Sequence, residues 1–345
     1  MPDATRVIRL ALATALLGGA AVAQDDTAPT LAGVLERGVL ECGVNAGLAG
    51  FATVDSNGVW SGFEIEFCRA LAAAILGDPA LVEFHALPAD GRYRELVESD
   101  VDVIARSGAW SIGPDVRRGL DQVAVSYYDQ LGFLLPVELG VSSPKELAEA
   151  HICVVNDMAT EPALDDYFRA NGISWQAVPA ADDAQARAMY LAGECDVYAR
   201  PAAELSAVRA TFETPLAHVI VNDGASRVPS GPVVREGDDS WANVVRWTFL
   251  ALLAGEELGI TSANVREMAA TPSANPEVNR LLGTEGGIGP MLGLPQDWAV
   301  DALAAGGNYG EMFERNIGEN TPIGLARGLN ALWAKGGLQY AAPFR

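Results

Sequence analysis

The sequence predicts an α/β protein of two lobes, the second inserted into the first. Three observations carry that expectation. The chain has 345 residues, about twice the usual single-domain length. Strand-like and helix-like patterns alternate along its first third, which is the rhythm of a parallel sheet with crossover helices. The same alternation then restarts near residue 143 and is followed by a return to the first pattern.

The elements follow in order. Residues 1–23 read as a secretory signal. Arg6 and Arg9 form a basic start, Leu10 to Val22 is apolar, and Ala21-Val22-Ala23 offers small residues for cleavage before Gln24. A short membrane anchor is the rival reading, but about 13 apolar residues are too few to span a bilayer of ~30 Å as a helix. A linker, Gln24 to Pro29, comes next. Val39 to Val44 is rich in β-formers. Phe63 to Leu76 has helical periodicity and stops at Gly77. Leu81 to Ala86 reads as a strand, Arg92 to Glu98 as a helix and Val101 to Ala105 as a buried strand.

Leu131 to Pro136 is another strand. Ser143-Pro144-Lys145-Glu146 has the form of a capping box with proline at the first helical position. His151 to Val155 is then a strand, Glu161 to Ala170 and Asp182 to Leu191 are helices, and Asp196 to Ala199 is a strand. Gly231 to Arg235 leads into a long helix from about Asp239. Its most apolar part, Trp241 to Gly255, carries Asn243 and Arg246 and reads as buried in protein, not in lipid. Thr271 to Pro295 is rich in Gly and Pro and reads as irregular, whereas Trp298 to Arg345 is helix-forming and aromatic and is expected to pack on the first lobe. The boundaries that result are 31–133 plus 232–345 for the first lobe and 134–231 for the second. Two connections between lobes make a hinge, and the cleft is the default ligand site.

Charge and motifs narrow the function. Asp and Glu number 45 against 23 Lys and Arg, a net charge of −22. That argues against nucleic acid or an anionic membrane as partner. The three histidines, His85, His151 and His218, are far apart, so a His-rich metal site is not expected and no metal or cofactor is assigned. GxxxxGK[ST], HExxH and GxSxG are all missing, which removes the commonest NTPase, zincin and hydrolase readings. The four cysteines, Cys42, Cys68, Cys153 and Cys195, allow three pairings. Their positions suggest two local pairs, one in each lobe, and export to an oxidising compartment favours disulfides. A thiolate metal site lacks any CxxC.

Several stretches are specific enough to resemble a known family. They are Cys42 to Phe51 (CGVNAGLAGF), Trp60 to Cys68 (WSGFEIEFC), Tyr127-Tyr128-Asp129, Cys195-Asp196-Val197-Tyr198, Asn308 to Asn316 (NYGEMFERN) and Ala326 to Trp333 (ARGLNALW). From about Leu31 to Arg345 the chain resembles the periplasmic solute-binding proteins of polar and general L-amino-acid ABC transporters. The resemblance implies a type II periplasmic binding-protein fold, each lobe a mixed sheet flanked by helices, joined by a two-strand hinge. It implies a monomeric, non-enzymatic clamp that captures a small solute and presents it to the permease subunits in the membrane. The cysteine positions also match the family, which supports Cys42–Cys68 and Cys153–Cys195.

The pocket departs from the family. A clamp for an α-amino acid needs a fixed cation and N–H donors for the carboxylate, and a carboxylate for the ammonium. In a dry cleft a missing partner leaves a buried charge unpaired. The family's T-W-T-x-x-R is Ala109-Trp110-Ser111-Ile112-Gly113-Pro114 here, so the arginine position holds proline; Arg117 and Arg118 follow but point elsewhere along a helix. The family's G-T-T-T-E at a helix N-terminus is Asp157-Met158-Ala159-Thr160-Glu161. Asp157 would repel a carboxylate, or simply cap the helix. After Tyr198 the family's T-T-D is Ala199-Arg200-Pro201, so the ammonium carboxylate is also proline. Arg200 and Asp157 would invert the charge layout, unless Arg200 faces solvent.

Other candidates remain. Asn45 ends the first strand. Phe51 matches an aromatic wall or is ordinary core. Trp110 could stack on a ligand, and Ser107 and Ser111 could donate hydrogen bonds. Arg106 matches a family arginine. The leading expectation is therefore an importer's binding component with an altered ligand. A second is a descendant that no longer transports and serves as a partner-binding or sensor module. An enzyme of the same fold, acting on prephenate-like acids, would need an acid and base beside cations, and no such pair is evident.

Overall fold

The computed structural model describes residues 29–345, apart from 46, 89–91, 107, 109, 113–118, 156–159 and 223–225. The signal segment and the positions of Ser107, Ala109, Pro114, Arg117, Arg118 and Asp157 therefore lie outside the described residues.

The described chain opens with α1 (Pro29–Arg37), whose Leu31 and Val34 are buried. The linker of the sequence reading thus ends at a helix, and Pro29 is its first residue, where the missing N–H costs nothing. Then come β1 (Leu40–Asn45), a small hairpin of β2 (Thr53–Val54) and β3 (Trp60–Ser61), α2 (Phe63–Leu76), β4 (Val82–Leu87), α3 (Arg92–Val97), β5 (Val103–Ile104) and β6 (Leu120–Gln122). The next group is β7 (Tyr127–Pro136), β8 (His151–Val155), α4 (Thr160–Asn171), β9 (Gln176–Ala180), α5 (Asp183–Leu191), β10 (Val197–Pro201), α6 (Ala202–Arg209), β11 (His218–Val221) and β12 (Arg227–Ser230). The chain ends with β13 (Val233–Arg235), α7 (Asp239–Glu257), α8 (Val265–Ala270), α9 (Pro276–Leu281), α10 (Ile288–Met291), α11 (Trp298–Gly306) and α12 (Tyr309–Asn316).

Two large sheets result. The first has the order β4-β1-β5-β13-β6, with β1 parallel to β4 and β5 and with β13 antiparallel to β5 and β6. In the second, β11-β7-β10-β8-β9, β8 is parallel to β9 and β10, while β7 runs antiparallel to β10, β11 and β12. The chain passes from the first sheet to the second after Gln122 and returns before Val233. The two crossings lie side by side: Val123 N–H donates to Pro232 O at 3.0 Å and Ser126 N–H to Ser230 O at 2.8 Å. Gly231 permits this approach, because a Cβ there would stand 2.2 Å from Ala124 O. β7 pairs within the second sheet from Tyr127 onward, so the crossing precedes the 133/134 boundary read from the sequence.

The pattern Phe63 to Leu76 becomes α2 without change, ended by Gly77 at φ 75°, whose N–H closes on Ala73 O. Its lack of a polar face has a reason. One side lies on β1 and β4, and α11 from the far end of the sequence covers another. Ala70 is buried at that contact, where a Cβ at Gly306 of α11 would stand 3.7 Å from its own. α7 is the other central helix of this lobe; buried Trp241 donates through Nε1 to Asp102 O at 3.0 Å. Arg246 of the same helix donates to Val123 O and Asn243 Oδ1, which accounts for two polar residues in an apolar run. Among the described residues no helix is long and apolar enough to cross a membrane.

Other expectations change. Ser143 Oγ does accept from a following backbone N–H, but that of Lys145, and Pro144–Glu146 is one 3-10 turn, not an α-helix. The Thr271–Pro295 stretch holds α9 and α10. Beyond α12 the tail is irregular save for short turns at Gly328–Asn330 and Trp333–Lys335. β9, β11 and β12 add to the strands expected from the sequence, although Val219-Ile220-Val221 of β11 is a β-branched run. β9 is an edge strand with most of its residues unburied, so alternation had no core to encode. All four cysteines are in disulfides, Cys42–Cys68 between β1 and α2 and Cys153–Cys195 within the second lobe.

Candidate functional site

Parallel strands carry their ligand sites beyond their C-terminal ends, where the loops lead into helix N-termini. In the first sheet those ends are Asn45 of β1, Leu87 of β4 and Ile104 of β5. In the second they are Val155 of β8, Ala180 of β9 and Pro201 of β10, which lead toward the first turns of α4, α5 and α6.

On the first side, Asn45 donates its backbone N–H to Glu64 Oε2 at 3.3 Å, so the end of β1 is tied to the start of α2. Phe51 is 1% exposed and packs edge-on against Phe63 and Tyr127 at ring distances of 6.4 and 5.7 Å. It is a core residue and also lines a narrow, mainly apolar cavity with Arg106, Ser126 and Ser230, next to the two crossings. Trp110 is 43% exposed, and its N–H donates to Pro229 O at 2.8 Å, tethering its segment to β12. Ser111 and Ile112 are exposed beside it.

On the second side, Thr160 is the buried first residue of α4. Arg200 does not face solvent. It is 7% exposed, with Nε 3.1 Å from Asp183 Oδ1 and an Nη 2.8 Å from Glu204 Oε2. The Tyr198 hydroxyl also donates to Asp183 Oδ1 at 2.8 Å, and burial pushes that phenol far above its ordinary range. Pro201 ends β10 and directly precedes α6, so that helix start has no capping side chain of its own. Asp129 of β7 supplies one: its carboxylate accepts from Ala203 N–H at 3.2 Å. The carboxyl faces inward, and desolvation raises its pKa to about 7 despite the N–H donors of Gln130 and Ala203.

Asp129, Asp183 and Glu204 were not singled out from the sequence. Asp129 stood inside the quoted Tyr127-Tyr128-Asp129 stretch. Glu204 follows Arg200 by four residues, but Arg200 is on β10 and Glu204 on α6, so the helical i,i+4 rule gave no signal for the pair. Asp183 is brought in only by the fold, 17 residues from Arg200 in sequence. Among the described residues, Glu41, Glu83 and His85 offer ligand atoms within 4.8 Å of one another. They lie on β1 and β4 short of the strand ends, and a 2.5 Å hydrogen bond between His85 Nε2 and Glu41 accounts for their approach.

No family model matches the chain. It is 49% identical over 331 residues to the glutamate/glutamine/aspartate/asparagine-binding protein BztA of Rhodobacter capsulatus, covering 96% of both chains. It is 43% identical over 342 residues to the general L-amino acid-binding periplasmic protein AapJ of Rhizobium johnstonii, covering 99% of both. A solved structure of an ABC transporter periplasmic binding protein from Brucella ovis, with glutathione bound, superposes with a TM-score of 0.88 at 46% identity; 92% of this chain and 99% of that one are covered. With this two-lobed fold and these full-length relatives, the chain belongs to the periplasmic amino-acid-binding proteins of ABC transporters.

Proposed function

We propose that the protein captures a small solute between its two sheets and delivers it to the membrane permease of an ABC importer, acting as a monomer in the periplasm after cleavage behind Ala23. One observation carries the reading. Both sheets turn the C-terminal ends of their parallel strands toward loops and helix starts, and two adjacent crossings join them as a hinge. Asn45, Trp110, Ser111 and Thr160 are the described residues we assign to the walls, with Ser107, Ala109 and Asp157 from the segments outside the description. Phe51 supports the first wall from within the core. The chain does no covalent chemistry in this role.

The solute differs from a plain α-amino acid in how it is held. BztA is named for four amino acids and the Brucella ovis protein holds glutathione. In this chain Pro201 offers neither charge nor N–H, and Arg200 is compensated by two carboxylates. Position 114 is also proline. The test is a thermal-shift series on mature protein, unfolded and refolded to remove bound solute. Against L-glutamate, L-glutamine, L-aspartate, L-asparagine, glutathione and amine-free acids, a solute at 100 times its Kd adds about 2.7 kcal/mol. A shift with some member of the series is expected. No shift with any of them sinks the reading.

A further inference from the structure

We propose that Glu41, Glu83 and His85 bind a divalent transition-metal ion of the Zn2+ class, at a site in the first lobe that is separate from solute capture. Strand register brings the three together. β1 and β4 are parallel, and Glu41 stands opposite Glu83. Side chains alternate between the faces of a strand, so His85, two residues after Glu83, shares the face of both glutamates. The next pair, Cys42 and Phe84, turns to the other face, where the Cys42–Cys68 disulfide reaches α2. One ligand atom from each of Glu41, Glu83 and His85 lies within 4.8 Å of the other two. All three precede the C-terminal ends of their strands, Asn45 and Leu87, beyond which the solute is placed.

The chemistry of the set selects the ion. Two carboxylates directly opposite each other on neighbouring strands repel. Arg37 does not relieve this: its Nε is 3.9 Å from Glu41 Oε1, and its guanidinium is paired with Asp102. The other oxygen, Glu41 Oε2, stands 2.5 Å from His85 Nε2, a gap that a shared proton fills. An ion bonded to both at about 2.0–2.2 Å takes the place of that proton and holds its ligand atoms about 3.4 Å apart in a tetrahedral site. Small side-chain rotations supply the difference. The charge of the ion offsets both carboxylates, while the imidazole binds as a neutral ligand. One nitrogen with two oxygens suits Zn2+ and its neighbours, whereas Ca2+ and Mg2+ take shells of six or more oxygens. Glu83 is exposed and the His85 side chain is 40% exposed, so an ion can enter and water can complete its shell. Bound there, the ion ties the edge strand β4 to β1.

The experiment is a Zn2+ titration of mature protein stripped with chelator, read by competition with a chromogenic chelator and by melting temperature, with Mg2+ as the comparison ion. Wild type should take up one Zn2+ per chain, melt higher with it and bind Mg2+ far more weakly. His85→Ala should weaken Zn2+ by about tenfold or more, the loss of one of three protein ligands. Glu83→Gln should do the same, and because Glu83 is exposed this variant keeps the fold if His85→Ala does not. His151→Ala removes a histidine that lies beside Asp196 in the second lobe and should leave Zn2+ affinity unchanged. No uptake by wild type overturns the proposal. Affinity unchanged in both His85→Ala and Glu83→Gln also overturns it, because the ion is then held by other surface groups. A loss confined to His151→Ala overturns it in the same way.

Discussion

Asn330 holds the backbone of Tyr128 from both sides. Its Oδ1 accepts from Tyr128 N–H at 2.7 Å, and its Nδ2 donates to Tyr128 O at 3.1 Å, across a sequence separation of 202. Tyr128 is the second residue after the crossing into the second sheet. Tyr309 and Gln339 secure the residues just before it, through Ser126 O at 2.9 Å and Val125 O at 3.1 Å. Arg327 lies over the rings of Tyr309 and Phe313 and returns to Asn330 O. The C-terminal tail therefore packs on one strand of the hinge as well as on the first lobe.

Asn330→Ala should be costly for this reason. Asn330 is 3% exposed, so the variant strands two backbone groups of Tyr128 with little access to water. An unsatisfied buried polar group costs about 1–3 kcal/mol, and the pair should cost about 2–4 kcal/mol in urea unfolding. A loss within 0.5 kcal/mol of zero, the ordinary scatter of surface changes, would show that water or the tail refills the gap.

The sequence carried the fold where periodicity was tied to burial. α2 and β8 stand at the residues the pattern marked, because each buries the positions that made the pattern visible. It failed at edges. β9 is mostly exposed and β11 mostly half-buried, and neither shows an alternation of buried and exposed positions. The site was legible as a set of departures from a family pattern, at Arg200 and Pro201 above all. What those departures do was not legible, because Asp183 and Asp129 reach them from other elements. A chain read in order cannot show a partner supplied by a different strand or helix.

Asp129 makes stability depend on pH. Desolvation raises its pKa from an ordinary 3.8 to about 7, with Glu204 adding to the rise. Between those two values the folded protein keeps a proton that the unfolded chain has released. Stability from this group is therefore full below about pH 4, falls as pH rises toward 7 and is level above it. Asp129→Asn keeps an oxygen for the Ala203 N–H and has no proton to lose. Relative to wild type, it should gain up to about 4 kcal/mol between pH 4 and pH 8 in urea unfolding, at 1.36 kcal/mol per pKa unit. A difference between the two proteins that does not change with pH would place Asp129 in water.

Arg200 is the centre of an ion-pair group, and its removal should cost more than its own contacts suggest. Arg200→Met fills much the same volume but leaves Glu204, with a side chain 17% exposed, facing Asp183 without a cation between them. Breaking a buried pair by removing one partner costs about 3–5 kcal/mol when both are enclosed. Asp183 is half-exposed, so about 2–3 kcal/mol is expected. Adding Glu204→Gln to that variant should restore part of the loss, because the stranded charge is gone. If the double variant is no more stable than Arg200→Met, the loss lies in packing and not in charge.

The disulfides should contribute unequally to what an observer sees. They close spans of 26 and 42 residues, and the loss of loop entropy in the unfolded chain is worth about 3–4 kcal/mol for each. Cys42–Cys68 joins β1 to α2 in a lobe whose core also gathers α7, α11 and α12, so many contacts remain when it is cut. Cys153–Cys195 ties β8 to the residue two before β10, inside a smaller apolar cluster around Tyr190, Tyr198 and Phe212. Cys153→Ser with Cys195→Ser should therefore unfold the second lobe first, giving a separate early transition by calorimetry, whereas Cys42→Ser with Cys68→Ser should lower the transition of the first lobe. Reductant should reproduce both effects in wild type. A melting profile unchanged by reductant would mean that these bonds do not limit unfolding, and a single early transition in both variants would mean that the lobes unfold as one unit.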